Sequence, residues 1–473
     1  MDKGGNSMGI STFEQYLESL RDGREVYYRG IKIADITQHP ILKIGIKLME
    51  HFFGEKYLYW DQELGVKTSV FFKVPRNSAD LLERSRLTYE ITKEAVMILP
   101  HIGTDALIAL AIITSKLKDK NFNKRVMEYT NEAKRNNCFL SLATIDARGD
   151  RSLRPTEQVD RDLYVHVVEE KTGGIVVRGA KMHTGYASID QGVIVIPGRA
   201  LRKGEEDYAV AFAVPANSKG LKLIQRPSIA TEAALHAWEG VRIGRENQVE
   251  TMTIFDNVFV PWERVFLYKD VVAGSQLALM FALQHRLSAL SYRYALAEYL
   301  IGLGKLVAEA NGVQKASHII GDLKDLITYA EIQKICAKMA CYECQIDETS
   351  GIAIPNIIYT NIGKMYSNEH YLPTIRSLID MAGGVALTAP SGDDYFNKEL
   401  SPFIDKYLRG TIPGQDRFKL MLLLREWIAL WGESAVYYIH AEGSMRASII
   451  ELVRSYDYAD AEAIVKRLLS QMK

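Results

Sequence analysis

The spacing of apolar residues divides the chain into a helical part, a strand-rich part and a second helical part. Over residues 11 to 136, Leu, Ile and Val recur three or four positions apart, as on one face of an amphipathic helix. The stretches 81–99 and 104–118 are the clearest examples. Near the start, Ser11-Thr12-Phe13-Glu14 is typical of a capping box and predicts a helix that begins there.

The middle of the chain changes to short β-rich runs that Gly, Pro and charged residues interrupt. No helical stretch separates these runs, so the pattern favours an antiparallel barrel or sandwich over βαβ units. The predicted strands are Cys138–Ile145, Leu163–Glu170, Gly174–Lys181, Gly192–Pro197, Tyr208–Val214 and Thr251–Val260.

Helical spacing returns at about residue 272 and predicts an antiparallel bundle. The predicted bundle helices are 272–310, 315–346, 354–381, 416–431 and 434–455. The predicted fold class is therefore α+β, with an N-terminal α-helical domain over 1–137, a central β domain over 138–270 and a C-terminal bundle over 271–473. We expect a pocket between the β domain and the bundle.

Composition excludes several classes of protein. The 473 residues contain 58 Lys+Arg and 58 Asp+Glu, so no broad charged surface is expected for nucleic acid or for an anionic membrane. No apolar run reaches the roughly 18–20 residues of a membrane span, and the opening MDKGGNSMGI contains no apolar signal-peptide core. Four cysteines are too few for a disulfide framework. We expect a cytoplasmic protein.

Motifs for common cofactors are sparse. The chain contains no P-loop and no Rossmann Gly-rich fingerprint. Cys336, Cys341 and Cys344 have the spacing of a plant-type ferredoxin. Because a helix without Gly or Pro is predicted there, buried thiols are favoured over the competing interpretation, a metal site.

Four polar features each have two interpretations. His285 follows apolar residues on a predicted helix, where a packed histidine competes with a functional one. The loop around Gly149 is either an anion-binding turn with two arginines or a solvated hairpin turn. The pair Gly383-Gly384 is a helix cap, or a place where a ligand phosphate approaches the backbone. The polar segment His440–Ser444 is either a functional turn or a tight helix crossing.

Seven segments form a combined signature along nearly the whole chain. They are Tyr16–Tyr27, Thr37–Pro40, Gly149–Pro155, Ile175–Lys181, Phe255–Val265, Asn311–His318 and Asp380–Gly384. Together they resemble the flavin-dependent 4-hydroxyphenylacetate 3-hydroxylase / 4-hydroxybutyryl-CoA dehydratase family, which has the acyl-CoA dehydrogenase fold. The resemblance is closer to the dehydratase branch.

This resemblance implies FAD bound between the β domain and the bundle, and a homotetramer built as a dimer of dimers. Thr184 matches a threonine that faces the flavin ring, where a hydroxyl hydrogen-bonds N5 or O4 and tunes the flavin chemistry. The cofactor-binding residues that the resemblance implies are Arg148, Gly149, Asp150, Arg151, Thr184, Gly383, Gly384, His440, Glu442, Gly443 and Ser444.

Departures from both branches bear on the reaction. His285 matches the histidine that binds the dehydratase [4Fe–4S] cluster, but Tyr292 occupies a cysteine position and residues 100–105 contain no cysteine. We therefore expect no iron–sulfur cluster and no metal. The hydroxylase's substrate-binding Arg and Tyr near 101–106 are replaced by apolar or small residues, and Leu142 replaces a histidine. Specificity for 4-hydroxyphenylacetate does not carry over.

The leading hypothesis is the oxygenase component of a two-component monooxygenase, which receives reduced FAD from a separate reductase and acts on a small phenolic substrate. The candidate catalytic residues are His285, Glu250 and Tyr292, with Glu250 either a general base or a surface strand carboxylate. One alternative is a cluster-free acyl-CoA enzyme of dehydratase, Δ-isomerase or dehydrogenase type. Another is a scaffold without chemistry that stores flavin.

Overall fold

Helices occupy both ends of the chain and strands occupy its centre in the computed structural model, which describes residues 9–95, 102–241, 249–435, 438–439 and 441–472. The predicted three-part α+β order is confirmed. The α-helices are Phe13–Ser19, Leu42–Leu48, Ser78–Ala95, Ile102–Ser115, Lys120–Asn136, Ile229–Ala233, Val271–Ala310, Ser317–Tyr342, Ile357–Ala382, Val385–Thr388, Ser401–Tyr407, Gly414–Ala435, Met445–Ser455 and Ala459–Leu469. The strands are Glu25–Tyr28, Ile31–Lys32, Leu58–Asp61, Val66–Ser69, Leu140–Ala143, Ile145–Asp146, His166–Lys171, Gly174–Gly185, Gly192–Val195, Val210–Pro215, Leu221–Gln225, Glu250–Pro261, Val265–Tyr268, Gln345–Ile346 and Ala353–Ile354.

The first helix begins at a capping box, one residue later than the sequence pattern predicts. Gln15 N donates to Thr12 Oγ1 at 3.3 Å, and Thr12 N donates to Gln15 Oε1 at 3.2 Å. Tyr16 is fully buried, and its hydroxyl donates to the carbonyl of Ile189 at 3.0 Å. The first helix is thereby docked on the central part of the chain.

The larger sheet contains a strand from the N-terminal part, which the mostly helical spacing of residues 11 to about 136 does not predict. Glu25–Tyr28 pairs in parallel with Leu221–Gln225, and Val26 and Tyr28 are buried while their neighbours are half-buried. This alternation is the period of a strand, and it is too short to compete with the surrounding helical pattern. The seven-stranded sheet has the order Ile31–Lys32, Glu25–Tyr28, Leu221–Gln225, Glu250–Pro261, Gly174–Gly185, Ile145–Asp146, with His166–Lys171 also paired to Gly174–Gly185.

A four-stranded sheet packs against the seven-stranded sheet. Val193 and Val195 belong to the core between the sheets, whereas Ile194 belongs to the core beneath the helix Ile102–Ser115. The sandwich is therefore covered by helices on one side. The four-stranded sheet has the strand order Val265–Tyr268, Val210–Pro215, Gly192–Val195, Leu140–Ala143.

The pairing is mixed and not purely antiparallel as predicted. Leu140–Ala143 lies parallel to Gly192–Val195, because the chain between them passes through the other sheet. The predicted layers are thus correct, but two strand pairs are parallel: Leu140–Ala143 with Gly192–Val195, and Glu25–Tyr28 with Leu221–Gln225.

The C-terminal part is a helical bundle around the long bundle helix, Val271–Ala310. Asp270 caps this helix by accepting from the backbone N–H groups of Val272 and Ala273. The predicted single helix over 434–455 is wrong, since the chain turns at Glu442 and a new helix begins at Met445. Within the described ranges, no helix is both long enough and apolar enough to cross a membrane.

Two glycines of the bundle test how closely its helices pack. A Cβ on Gly363 would lie 2.4 Å from Leu290 Cδ2 and 3.0 Å from Cys336 Cβ, whereas a Cβ on Gly321 would meet no atom within 4 Å. We expect Gly363→Ala to destabilise the fold by about 1–3 kcal/mol through overpacking. Gly321→Ala, the matched control, should stabilise it by up to about 1 kcal/mol through helix propensity. Thermal unfolding of both variants checks this, and a rise in Tm for Gly363→Ala would contradict the described packing.

Candidate active site

Thr184 presents an unpaired hydroxyl inside the β part. It lies near the end of strand Gly174–Gly185, opposite Thr251, whose hydroxyl donates to the Thr184 carbonyl at 3.2 Å. The residue is fully buried, and its Oγ1 has no hydrogen-bond partner among the described residues. A buried hydroxyl without a hydrogen-bond partner lowers the stability of the fold by about 1–3 kcal/mol. The position therefore fits a ligand that supplies the missing hydrogen-bond partner. It fits the flavin contact that the resemblance implies.

The loop Arg148–Arg151 is held in a fixed turn. Arg148 and Gly149 both have left-handed backbones, with φ of 73° and 53°. Arg148 N donates to Leu163 O at 3.2 Å, and Asp150 N donates to Gln158 Oε1 at 3.0 Å. A Cβ on Gly149 would come within 2.5 Å of Gln158 Oε1. The turn is thus constrained, although Gly149, Asp150 and Arg151 are all exposed to solvent.

The side chains of this loop have different environments. Asp150 accepts from both Oγ and N of Ser152, and these hydrogen bonds lower the pKa of its carboxyl. Arg151 is exposed. Burial lowers the pKa of His183, and the positive charge of Arg148 lowers it further. Arg148 therefore lies beside the end of the strand that carries Thr184, where a phosphate group would find a cation.

Glu250 is buried and is not a surface carboxylate. It begins strand Glu250–Pro261, pairs with Gly185 and is 6% exposed. Its carbonyl accepts from Arg226 N at 2.8 Å. Burial raises the pKa of Tyr186, and the charge of Glu250 is among those that raise it further. Glu250 is adjacent along its strand to Thr251, the partner of Thr184, so the side chains of Glu250 and Thr184 lie on opposite faces of the sheet.

His285, on the long bundle helix, is fixed by a carboxylate that sequence analysis did not identify. His285 Nδ1 lies 2.9 Å from Asp105 Oδ2, and Asp105 is 1% exposed. Asp105 Oδ1 accepts from Arg84 Nη2 at 2.5 Å and from Arg84 Nε at 3.2 Å. The Phe281 ring is stacked on the imidazole, with 5.4 Å between centroids. An aspartate within an otherwise apolar helix was the signal available in the sequence.

Glu442 and Tyr292, assigned to different roles by the sequence, meet in one buried cluster. Tyr292 donates its hydroxyl to Glu442 Oε1 at 2.8 Å, and Arg293 Nη2 donates to Oε2 at 2.7 Å. Lys364 Nζ lies 3.7 Å from the same oxygen. Although burial opposes ionisation, Arg293 and Lys364 lower the pKa of Glu442 to about 2. Burial lowers the pKa of Lys364 to about 7, against the opposing charge of Glu442.

The turn that contains Glu442 is held on the bundle by Arg286. Arg286 Nη2 donates to Glu442 O at 3.0 Å, and Nη1 donates to Asn361 Oδ1 at 2.6 Å. Glu442 and Gly443 have φ of 57° and 93°, so both residues are left-handed. Ser444 caps the following helix by accepting from the N–H of Ala447. The fourth predicted residue of this turn, His440, lies outside the described residues.

Gly383 and Gly384 end the helix Ile357–Ala382. Their φ values are 62° and 79°, and Gly383 N donates to Asp380 O at 3.2 Å. The cap interpretation is therefore correct. A Cβ at either glycine would meet no atom within 4 Å, so the backbone here is also open to a neighbour.

The three bundle cysteines do not form a ligand cluster. Cys336 and Cys341 are buried with Leu287 and Leu290 in a small apolar core, and burial raises the pKa of their thiols to about 11 and about 12. Burial also raises the pKa of Cys344. In the part of the chain that the structure describes, no group of three His, Cys, Asp or Glu side chains is arranged to hold a metal ion.

Comparison with known proteins defines the class to which this fold belongs. The structure of the oxygenase component (HpaB) of 4-hydroxyphenylacetate 3-monooxygenase, complexed with FAD and 4-hydroxyphenylacetate, matches with a TM-score of 0.86, 22% identity and 98% of both chains covered. The family descriptions of the 4-hydroxyphenylacetate 3-hydroxylase N-terminal and C-terminal regions match residues 12–267 and 275–470. The chain belongs to the 4-hydroxyphenylacetate 3-hydroxylase family, and the resemblance inferred from the sequence is confirmed.

Relatives from both branches are similar over most of their length. The 4-hydroxybutyryl-CoA dehydratase/vinylacetyl-CoA-Δ-isomerase of Clostridium aminobutyricum is 28% identical, with 94% of this chain and 96% of the relative covered. The 4-hydroxyphenylacetate 3-monooxygenase oxygenase component of Thermus thermophilus is 26% identical, with 87% of each chain covered.

The Glu442 cluster should dominate the stability of this part of the bundle. Glu442→Gln leaves the buried Arg293 and Lys364 without their shared carboxylate, so we expect a loss of about 3–5 kcal/mol. Glu462→Gln, which removes an exposed partner of Lys466 2.6 Å away, should leave the Tm within experimental error. Equal unfolding temperatures for wild type and Glu442→Gln would contradict the proposed importance of the cluster.

The stabilisation by Glu442 should also depend on pH. Its folded-state pKa, about 2, lies below the ordinary value of 4.5, so the stabilisation is complete above about pH 4.5 and is lost as the pH falls toward 2. The difference in Tm between wild type and Glu442→Gln should therefore narrow as the pH falls below about 4.5. Lys364, with a pKa of about 7, titrates above this window, so the comparison is made from pH 5 to pH 3. Unfolding scans over this range measure the difference, and a difference that widens as the pH falls would contradict the prediction.

Proposed function

We propose that this chain is the FAD-dependent oxygenase component of a two-component monooxygenase that hydroxylates small phenols. Family membership and the Thermus thermophilus oxygenase component support the reaction class, and the FAD-bound HpaB structure supports the cofactor. The observation that carries the proposal is the buried, unpaired hydroxyl of Thr184 at the position expected to face a flavin.

Residues from both halves of the chain would hold the cofactor. Thr184 would hydrogen-bond the flavin ring, and the loop Arg148–Arg151 would offer its N–H groups and cations to the phosphates. Gly383, Gly384 and the turn Glu442–Ser444 would contribute from the bundle, together with His440. When bound and reduced, FAD supplies the activation of molecular oxygen.

The chain's own side chains would manage substrate binding and protons. Glu250 at the start of its strand and His285 on the bundle are the two candidate proton acceptors, and Tyr292 is a candidate polar contact for substrate. Tyr292 donates its hydroxyl to Glu442, so it would act with its oxygen already oriented.

A separate reductase is the expected protein partner. The sequence contains no dinucleotide-binding fingerprint, and relatives of this chain are described as oxygenase components. We also propose a homotetramer arranged as a dimer of dimers and a location in the cytoplasm.

A second candidate function follows from the similarity to the dehydratase. The 28% identity over 94% of this chain supports an acyl-CoA enzyme. The lack of cysteines at the matching cluster positions indicates one that needs no iron–sulfur cluster. In that case Glu250 or His285 would remove a proton next to the thioester carbonyl. Calorimetry with short-chain acyl-CoA esters tests this function, and failure to bind any of them would exclude it.

Hydroxylation of a phenol is the most direct prediction of the proposed function. Purified protein supplied with FAD, a flavin reductase, NADH and oxygen should convert one or more members of a phenol panel to catechols. Product analysis by chromatography and mass spectrometry detects the added oxygen, and a reaction without this chain is the control. Absence of any hydroxylated product across a broad panel would exclude the proposed reaction.

The Thr184 hydroxyl should matter for flavin and not for the fold. Thr184→Val removes a polar atom without a partner in the described residues, so the FAD-free protein should keep or raise its Tm. Its Kd for FAD should rise about fivefold, as expected for one lost hydrogen bond of about 1 kcal/mol. Thr88→Val is the matched control, because Thr88 Oγ1 is also buried and unpaired among the described residues. Flavin fluorescence titrations measure both, and equal affinities would refute the contact.

A further inference from the structure

We infer that Asp105 and Arg84 are positioning residues that make His285 the acceptor of the proton from the substrate hydroxyl. This inference rests on the proposed phenol hydroxylase and adds to it the residue that receives the proton. It distinguishes His285 from Glu250, the other candidate.

The contact with Asp105 fixes the protonation pattern of the imidazole. An ionised carboxylate can only accept a hydrogen bond, so at 2.9 Å from Asp105 Oδ2 the Nδ1 atom of His285 carries the proton. Whenever the ring is neutral, its lone pair is then on Nε2. Among the described residues Nε2 has no hydrogen-bond partner, and the side chain is 13% exposed. One ring nitrogen is anchored and the other is free to meet a ligand.

Arg84 prevents the carboxylate from moving away. Its guanidinium donates to Asp105 Oδ1 through both Nη2 and Nε, and it is itself fixed to the Phe71 carbonyl and the Thr104 hydroxyl at 2.7 Å each. Oδ1 is thus held by Arg84 while Oδ2 faces His285, so each carboxylate oxygen has its own partner and the position of the carboxylate is restrained. Together with the stacked Phe281 ring, this sets the direction of the imidazole before any ligand arrives.

The proton transfer is balanced by charges already present. The phenol O–H bond breaks and an Nε2–H bond forms, which leaves a phenolate and an imidazolium. The new positive charge lies against the Asp105 carboxylate, and the negative charge of Glu442 also reaches His285. Arg84 opposes it, but its charge is shared with Asp105 in a buried pair. A phenolate is more electron-rich than a phenol and is the better partner for an electrophilic oxygen donor.

Binding of 4-nitrophenol without reductant or turnover tests the inference directly, because phenol and phenolate forms differ in colour. Below the pH at which free 4-nitrophenol ionises, wild type should produce the phenolate spectrum on binding. His285→Gln and Asp105→Asn should bind the phenol with its neutral spectrum. Asp61→Asn is the matched control, since Asp61 is also buried and pairs with Lys134 at 3.0 Å; it should behave as wild type.

Turnover provides a second measurement. With a phenol that is neutral at the assay pH, kcat of His285→Gln and Asp105→Asn should fall about 10²–10⁴-fold while KM changes little. With a phenol that is already ionised, the same variants should lose less than about tenfold. Arg84→Gln should show the same pattern more weakly, because it loosens Asp105 without removing it.

The outcomes separate this inference from the proposed function. If wild type hydroxylates no phenol, the proposed function is wrong. If wild type hydroxylates phenols but both variants keep its phenolate spectrum and its kcat, the inference is wrong and the proton goes elsewhere. If Asp105→Asn fails to fold, as judged by circular dichroism, His285→Gln decides, because His285 is partly exposed. An unchanged phenolate spectrum and an unchanged kcat in His285→Gln overturn the inference. Loss of the phenolate spectrum together with a lower kcat supports it.

Discussion

The carboxylate of Glu442, buried among Tyr292, Arg293 and Lys364, is the interaction on which the polar interior of the bundle depends. Placing arginine and lysine side chains where no water reaches them is costly unless an anion is held among them. Glu442 supplies that anion from a turn, and Arg286 donates a hydrogen bond to the backbone carbonyl of the same residue. The long bundle helix therefore determines where the last part of the chain lies.

The candidate residues of the β part and those of the bundle differ in their chemistry. The β side offers a neutral hydroxyl, at Thr184, and a turn with a left-handed arginine and glycine. The bundle side offers fixed charges, arranged so that Asp105 and Glu442 each accept from a buried arginine. A flavin ring needs directional hydrogen bonds, whereas a proton transfer needs charges in place beforehand. The division between the sheets and the bundle separates these two requirements.

Short-range sequence patterns predicted the layers, and the family resemblance named many of the site positions, but neither gave the contacts between them. Thr184 and Glu442 were identified only through that resemblance. Asp105 was not, because its partners lie 21 and 180 residues away and no local pattern links Arg84, Asp105 and His285. For the same reason Glu250 could not be placed: its burial depends on the sheet around it. The parallel strand directions were missed because four-residue strands carry too little periodicity.

The strand Glu25–Tyr28 has a consequence for the way the chain is made. It lies between Ile31–Lys32 and a strand that follows roughly 200 residues later, and the hydroxyl of Tyr16 likewise bonds Ile189. On the ribosome, the first segment emerges long before the partners that bury Val26 and Tyr28 exist. Pairing across so large a sequence separation is slow, and an unpaired apolar strand edge invites association with other chains. During synthesis, the N-terminal part therefore remains unpaired until the central part of the chain has been made.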